Sequence, residues 1–352
     1  MNPILSREAI DALLTWYHQN KRDLPWRHTR NPYHIWVSEI MLQQTRVEAV
    51  KPYYARFLET FPTVEALAAA PEDLLMKRWE GLGYYSRARN LQKAARAVVE
   101  QYGGKMPADE ALLRSLCGIG DYTAGAIASI AFGIPAPAVD GNVLRVLSRV
   151  SGSYEDIALQ ETKKRFASLL RPVIPTEDAG GFTQSLIELG ACICVPNGEA
   201  KCAECPLAPH CIAHREGLVD SLPIKSAKKA RRIRDLTVLL IRDGERTALR
   251  KRPPKGLLAG LFELPNFEGH LSEDALPEMI RSLGFEPLRV QRIEDSKHIF
   301  THIEWHMIAY TVMISPEFDG FHEQSGMLLV EDEDRRENYA IPSAFSAYTK
   351  YL

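Results

Sequence analysis

Two carboxylates and a group of thiols are the residues best able to do chemistry. Glu39 lies in Ser38-Glu39-Ile40-Met41-Leu42-Gln43-Gln44-Thr45, on a helix face shared with Ile35 and Leu42. A carboxyl group among apolar neighbours has a disfavoured charged form, which is what a general acid needs near neutral pH. The same glutamate also fits an ordinary helix position, partly exposed or paired with a cation. Asp140, in Val139-Asp140-Gly141-Asn142, stands at the entrance to a helix expected over residues 142–150. It fits a reacting carboxylate or a plain N-cap. Cys194, Cys202, Cys205 and Cys211 end in the spacing Cys-x2-Cys-x5-Cys, which suggests a metal or cluster site. Zinc and an iron–sulfur cluster both fit that spacing. Cys117 and Cys192 read as buried or helix thiols.

Asp140 is preceded by Leu116-Cys117-Gly118-Ile119-Gly120-Asp121-Tyr122-Thr123-Ala124-Gly125. A helix over residues 108–116 runs into a turn whose glycines, Gly118 and Gly120, permit positive φ and close backbone approach. A second helix starts near Asp121 and ends at Gly133, Pro135 and Pro137. Its unpaired N–H groups and partial positive charge suit a phosphate. An ordinary helical hairpin would read the same way.

Several aromatic and amide groups could meet a flat ligand. Leu24-Pro25-Trp26-Arg27 puts an aromatic plane beside a cation, although Trp26 could equally be buried. Gln43 and Gln44 carry neutral amides on a helix expected over residues 33–57, with a break at Pro52. Gly81-Leu82-Gly83-Tyr84-Tyr85-Ser86-Arg87-Ala88-Arg89-Asn90 is a glycine loop opening into a helix with tyrosines and arginines. Aromatic wedges beside cations unstack a duplex; core tyrosines at a helix start are the alternative.

These groups need a scaffold of about two domains for 352 residues. At 45% hydrophobic and 25% charged residues, the chain is globular with material for real cores. A net charge of −2 gives no whole-chain basic field, so any nucleic-acid contact must come from local patches and backbone donors. No signal peptide or membrane-length apolar run is visible, and a cytoplasmic protein is expected, in which disulfides are rare. The N-terminal part reads as helical, with Ser6 as N-cap and an apolar stripe of Ile10, Leu13, Leu14 and Tyr17. A further helix over residues 182–191 leads into the cysteines. Residues 225–234 crowd lysine and arginine and read as an exposed linker. Beyond it the periodicity changes to strands over residues 236–242, 248–252, 288–293 and 303–314, with a helix over 272–283.

The ordered set of motifs resembles the MutY-type adenine DNA glycosylases of the helix-hairpin-helix base-excision superfamily, over nearly the whole chain. The resemblance implies a multidomain fold. Residues 1–224 would form an all-α helix-hairpin-helix catalytic core with an iron–sulfur cluster loop. Residues 225–234 would be a basic linker, and residues 235–352 an α+β Nudix-like lesion-recognition domain. It implies excision of adenine opposite 8-oxoguanine or guanine in double-stranded DNA, by a monomer (on the nucleoid if the source is bacterial). Glu39 would protonate the flipped adenine, and an ionised Asp140, favoured by its helix start, would stabilise the sugar cation. Asn142 would join the catalytic group. Trp26, Arg27, Leu42 and Gln184 would line the adenine pocket. Gln43, Gln44, Tyr84, Gly118 and Gly120 would contact DNA, with Gln44 and Tyr84 filling and wedging the duplex. Phe300, Thr301 and His302 would read 8-oxoguanine. Cys194, Cys202, Cys205 and Cys211 would hold a [4Fe–4S] cluster.

Tyr122 stands where the lyase branch keeps a lysine. It cannot form a Schiff base, which implies a monofunctional glycosylase. A thymine or uracil glycosylase acting at G mismatches is the alternative. Two departures are local: Thr301 replaces the family's usual serine, and the gap from Cys194 to Cys202 is one residue longer than the resemblance implies. After Gly260, Glu263, Glu268, Glu273 and Asp274 do not make the packed acidic pattern that Nudix hydrolysis needs.

Overall fold

The computed structural model describes residues 3–227, 230–316, 321–322 and 326–352. Lys228 and Lys229 of the basic stretch lie outside the described residues. The chain divides into two compact units, Met1–Ala69 with Arg89–Ala227, and Ala70–Ala88 with Lys228–Leu352.

The first unit is helical. It contains α1 (Arg7–Asn20), α2 (Pro32–Leu42), α3 (Val47–Thr60) and α4 (Val64–Ala69). The chain then crosses to the second unit for α5 (Glu72–Trp79) and returns along α6 (Ser86–Tyr102). The first unit continues with α7 (Glu110–Ser115), α8 (Asp121–Phe132), α9 (Gly141–Ser151), α10 (Gln160–Leu170), α11 (Ala179–Cys192) and α12 (Ile212–Arg215). Local chemistry sets the starts. Ser6 caps α1, Asn31 caps α2 ahead of Pro32, Asp140 caps α9 and Asp178 caps α11. Left-handed glycines, Gly133 and Gly152, close α8 and α9.

Leu5, Ile10 and Leu13 pack with Val143 and Leu147 of α9 and Phe182 and Leu186 of α11. Each such burial is worth about 1.5–3 kcal/mol. α2 is buried almost all round and packs on α3 and α8. That explains why its glutamate is inside.

The expected helix over residues 33–57 is two helices, and the break is not at Pro52. Pro52 lies inside α3. The chain turns instead at Gln43–Arg46, where Gln44 takes φ 59. Gln43 and Gln44 therefore sit on a turn between helices, not on a helix face.

The second unit is built on a mixed sheet. Its strands are β1 (Arg232–Arg242), β2 (Arg246–Lys251), β3 (Phe262–Glu263), β4 (Asn266–Glu268), β5 (Pro287–Ile299), β6 (Ile303–Ile314), β7 (Phe321–His322) and β8 (Met327–Glu331). The order is β5-β6-β1-β2-β8-β7, with β3 beside β2 and β4 beside β1. β1 and β6 run parallel, from Arg232 opposite Ile303 to Arg242 opposite Met313. β5 extends to Ile299, past the end of the strand expected over residues 288–293. One face buries Trp305, Phe345 and Tyr348; the other packs on Leu276 and Ile280 of α13 (Leu276–Ser282) and on Phe285 beyond it. The helix expected over residues 272–283 is a 3-10 turn followed by this shorter helix. α14 (Asp332–Asn338) follows β8. Glu263 is buried and paired with Arg250 and Arg252, so it serves the fold. Among the described residues no helix is long and apolar enough to cross a membrane.

Candidate active site

A cavity of about 490 Å³ in the first unit is lined by Glu39, Tyr122, Asp140 and Asn142. Trp26, Arg27, Leu42 and Gln184 also line it, as do Gln43 and Gln44. Three elements meet here. α2 brings Glu39, the first turn of α8 brings Tyr122, and the N-terminus of α9 brings Asp140.

Glu39 is 7% exposed. Burial drives its pKa up to about 7, Asp140 pushes in the same direction, and the Tyr122 hydroxyl and Arg27 pull against them. The Tyr122 hydroxyl donates to Glu39 Oε2 at 2.7 Å. Burial, then the charges of Glu39 and Asp140, hold the Tyr122 phenol far above its ordinary range, so it stays neutral and keeps donating.

Asp140 is differently placed. Its Oδ1 accepts from the Val143 amide at 2.8 Å, and its Oδ2 accepts from Asn142 Nδ2 at 2.9 Å. The helix start alone would favour ionisation, but burial raises the Asp140 pKa above the usual aspartate range. The Val143 and Asn142 hydrogen bonds and Arg145 oppose that rise. Glu39 has one donor and Asp140 several, so a single shared proton belongs on Glu39.

Arg145, which sequence reasoning missed, supports this arrangement. Its Nη2 donates to Asn142 Oδ1 at 2.9 Å and to Gly190 O at 2.7 Å, and its Nε donates to Cys194 O at 2.7 Å. One guanidinium thus orients the amide that holds Asp140 and fastens the chain entering the cysteine loop. The available signal was an arginine pair, Arg145 and Arg149, spaced i,i+4 within the buried run of α9.

The pocket residues separate into two kinds. Trp26 lines the cavity, but it is 7% exposed and packs edge-on to Tyr54. Arg27 is committed elsewhere: Nη2 donates to Glu188 Oε2 at 2.8 Å and Nη1 to Arg22 O at 2.9 Å. The cation beside Trp26 is thus already paired with a buried carboxylate. Glu188, also missed, is buried on α11 and holds both Arg22 and Arg27. Burial would raise its pKa; the hydrogen bonds from Arg22 and Arg27 win and bring it to about 2. Leu42 and Gln184 are partly buried at the wall, and Gln43 Nε2 donates to Thr123 Oγ1 at 3.3 Å.

In the hairpin only Gly118 has positive φ, at 79°; Gly120 is extended at φ −91 as the N-cap of α8. Gly125 matters through space. A Cβ there would lie 2.1 Å from the Pro137 carbonyl oxygen, in the backbone leading to Asp140. Gly125→Ala is therefore expected to cost about 1–3 kcal/mol by overpacking, read as a lowered midpoint in chemical denaturation.

The four cysteines line one largely apolar cavity with Val146, Val150, Ile193 and Leu207. Arg149 Nη1 donates to Cys194 Sγ at 3.3 Å, and Cys211 Sγ donates to Arg149 O at 3.4 Å. Among the described residues no three Cys, His, Asp or Glu side chains are placed to hold a single metal ion. In the second unit Thr301 and His302 are exposed, whereas Phe300 packs edge-on to Trp305 and joins the core. The Tyr84 hydroxyl lies 3.1 Å from Thr301 Oγ1.

The helical hairpin, Glu39, Tyr122 and Asp140 all fall within one matched stretch. Residues 37–172 match the family described as HhH-GPD superfamily base excision DNA repair protein, and residues 237–351 match the NUDIX domain. The helical half is similar to a thermostable thymine-DNA glycosylase (TM-score 0.54, 31% identity, covering 59% of this chain and 95% of that one). It is also similar to endonuclease III in a trapped covalent DNA intermediate (TM-score 0.51, 28% identity, 60% and 96%).

The relatives that span both halves are narrower in kind. Mouse adenine DNA glycosylase is 35% identical over 86% of this chain and 70% of its own length. The human enzyme is 35% identical over 83% and 64%. The enzyme of Buchnera aphidicola from Schizaphis graminum is 32% identical over 86% and 87%. The chain belongs to the MutY-type adenine DNA glycosylase family.

Proposed function

We propose that the protein excises adenine mispaired with 8-oxoguanine or guanine in double-stranded DNA and cuts no strand itself. The observation that carries this is the buried Glu39 carboxyl, held near neutral pKa in a cavity with Asp140. Adenine leaves its sugar poorly as an anion. Turned out of the helix into the cavity, it takes the Glu39 proton at N7 and becomes a neutral leaving group. The C1′–N9 bond breaks with its electron pair on the base, and the sugar becomes an oxocarbenium ion. Asp140 stabilises that charge, Asn142 and Arg145 hold Asp140, and water adds at C1′ and gives its proton to the Glu39 carboxylate, leaving an abasic site.

Leu42, Gln184 and Trp26 would bound the base, while Arg27 shapes the wall through Glu188. Gln43, Gln44, Gly118 and Gly120 would meet the DNA. Tyr84, Thr301 and His302 would meet 8-oxoguanine, with Phe300 bracing them from the core. Cys194, Cys202, Cys205 and Cys211 would hold a [4Fe–4S] cluster. Four thiols around one cavity, with Arg149 to balance an anionic cluster, support that reading. Such a cluster would stabilise the loop beyond α11.

Single-turnover excision on duplexes with A opposite 8-oxoguanine, T opposite G, and A opposite T tests the assignment. Adenine loss opposite 8-oxoguanine, with breaks only after alkali, is the expected result. Release of thymine instead would move the protein to the mismatch branch.

Tyr122 gives a pH test. Its hydroxyl lowers the Glu39 pKa, so Tyr122→Phe should raise it and carry the falling limb of excision to higher pH. The ratio of single-turnover rates at pH 8 and pH 6 should increase in the variant.

A further inference from the structure

Tyr84 is half exposed, at 45%, and takes φ 47, a backbone conformation costly for a bulky residue. Such a residue persists only where its surroundings over-determine it. The surroundings here belong to the second unit, which includes Ala70–Ala88. On one side the Tyr84 hydroxyl meets Thr301 Oγ1 at 3.1 Å. On the other, α5 is fastened just beyond α14. Glu80 Oε1 accepts from the Ile341 amide at 2.7 Å, Lys77 Nζ donates to Tyr339 O at 3.1 Å, and Lys77 pairs with Glu80 at 2.6 Å. The lysine and glutamate side chains are only 12% and 31% exposed. Between these anchors, Trp79 Nε1 and Arg87 Nη2 both donate to Gly83 O, at 3.1 Å each, and Arg87 lies over the Trp79 and Tyr84 rings.

We infer that Lys77 and Glu80 are positioning residues for Tyr84: they seat α5 on the Tyr339–Ile341 backbone and so fix where the tyrosine stands against Thr301. The inference rests on the proposed reading of Tyr84 and Thr301 as lesion contacts. It makes discrimination between 8-oxoguanine and guanine depend on two residues that touch neither base.

Glu80→Ala removes the acceptor for the Ile341 amide; Glu80→Gln keeps one. The ratio of single-turnover rates on A opposite 8-oxoguanine and A opposite G should fall about tenfold in Glu80→Ala, the equivalent of one hydrogen bond. The rate opposite G should fall less than the rate opposite 8-oxoguanine. Glu80→Gln should restore the ratio, and Glu80→Ala should add nothing to Tyr84→Phe. A thermal melt confirms that each variant is folded. An unchanged ratio in folded Glu80→Ala, or losses that add in full with Tyr84→Phe, overturns the inference. 2-Aminopurine placed beside the mispair reads unstacking by Tyr84 without any base excision. If wild type excises nothing, the catalytic reading fails, while a fluorescence rise lost in Glu80→Ala still supports the positioning role and an unchanged rise overturns it.

Discussion

Glu39→Gln should lower single-turnover adenine excision by about 10²–10⁴-fold, the range general acid catalysis supplies, while leaving affinity for the mispaired duplex near that of wild type. Glutamine retains a carbonyl that can accept from Tyr122, so the cavity keeps its shape and loses only the proton. The same change should stabilise the fold at neutral pH. Glu39 has a folded pKa of about 7 against an ordinary 4.5, so the folded state binds its proton more tightly than the unfolded state. Wild-type stability therefore falls as pH rises from about 4.5 to about 7 and levels off above. At about 1.4 kcal/mol per pH unit, the gap amounts to roughly 3 kcal/mol, shared with Asp140. Urea denaturation of the two proteins at pH 5 and pH 8 checks this. A stability gap that does not widen with pH would refute the buried-acid account, whatever the activity does.

Glu188→Gln should destabilise the first unit by about 3–5 kcal/mol, the typical cost of breaking a buried ion pair from one side. Glu188 and Arg27 have side-chain exposures of 1% and 9%, so losing the carboxylate leaves a cation without its counter-charge. Arg22, at 37%, can recover water and should cost less. The pH signature is opposite to that of Glu39. With a folded pKa near 2 against 4.5, Glu188 stabilises the fold fully above about 4.5, and that contribution is lost as pH falls toward 2. The variant should lack this acid-side loss. Because Arg27 lines the cavity, excision should weaken as well, through a displaced wall and not through proton transfer. A variant as stable as wild type at pH 7 would mean the triad is dispensable.

The two halves differ in how openly the chain announces them. Caps, glycines and prolines placed α1, α8 and α9 close to their observed ends, because these signals act within a turn of the residues they govern. The break after α2 escaped the same logic. Pro52 looked like the stop, but it lies inside α3, which buries Val50, Tyr54 and Phe57 on either side of it, and Gln44 made the bend without a glycine to mark it. In the sheet, alternation located the strands but could not reveal that β1 runs parallel to β6 across the sixty residues between them.

The amino-acid sequence by itself determined the helical half, the α+β half and the grouping of the cysteines, and it singled out the two carboxylates as candidates. Each depends on residue type and short spacing. Only the tertiary structure decided what those groups meet. Tyr122 reaches Glu39 across 83 residues of chain, and Glu188 reaches Arg22 and Arg27 across 166 and 161. Arg145 ties Asn142 to the cysteine loop, and residues 70–88 join the second unit. No periodicity encodes such pairs. Burial sets the pKa of Glu39 and Asp140, and burial is a property of everything packed around them at once.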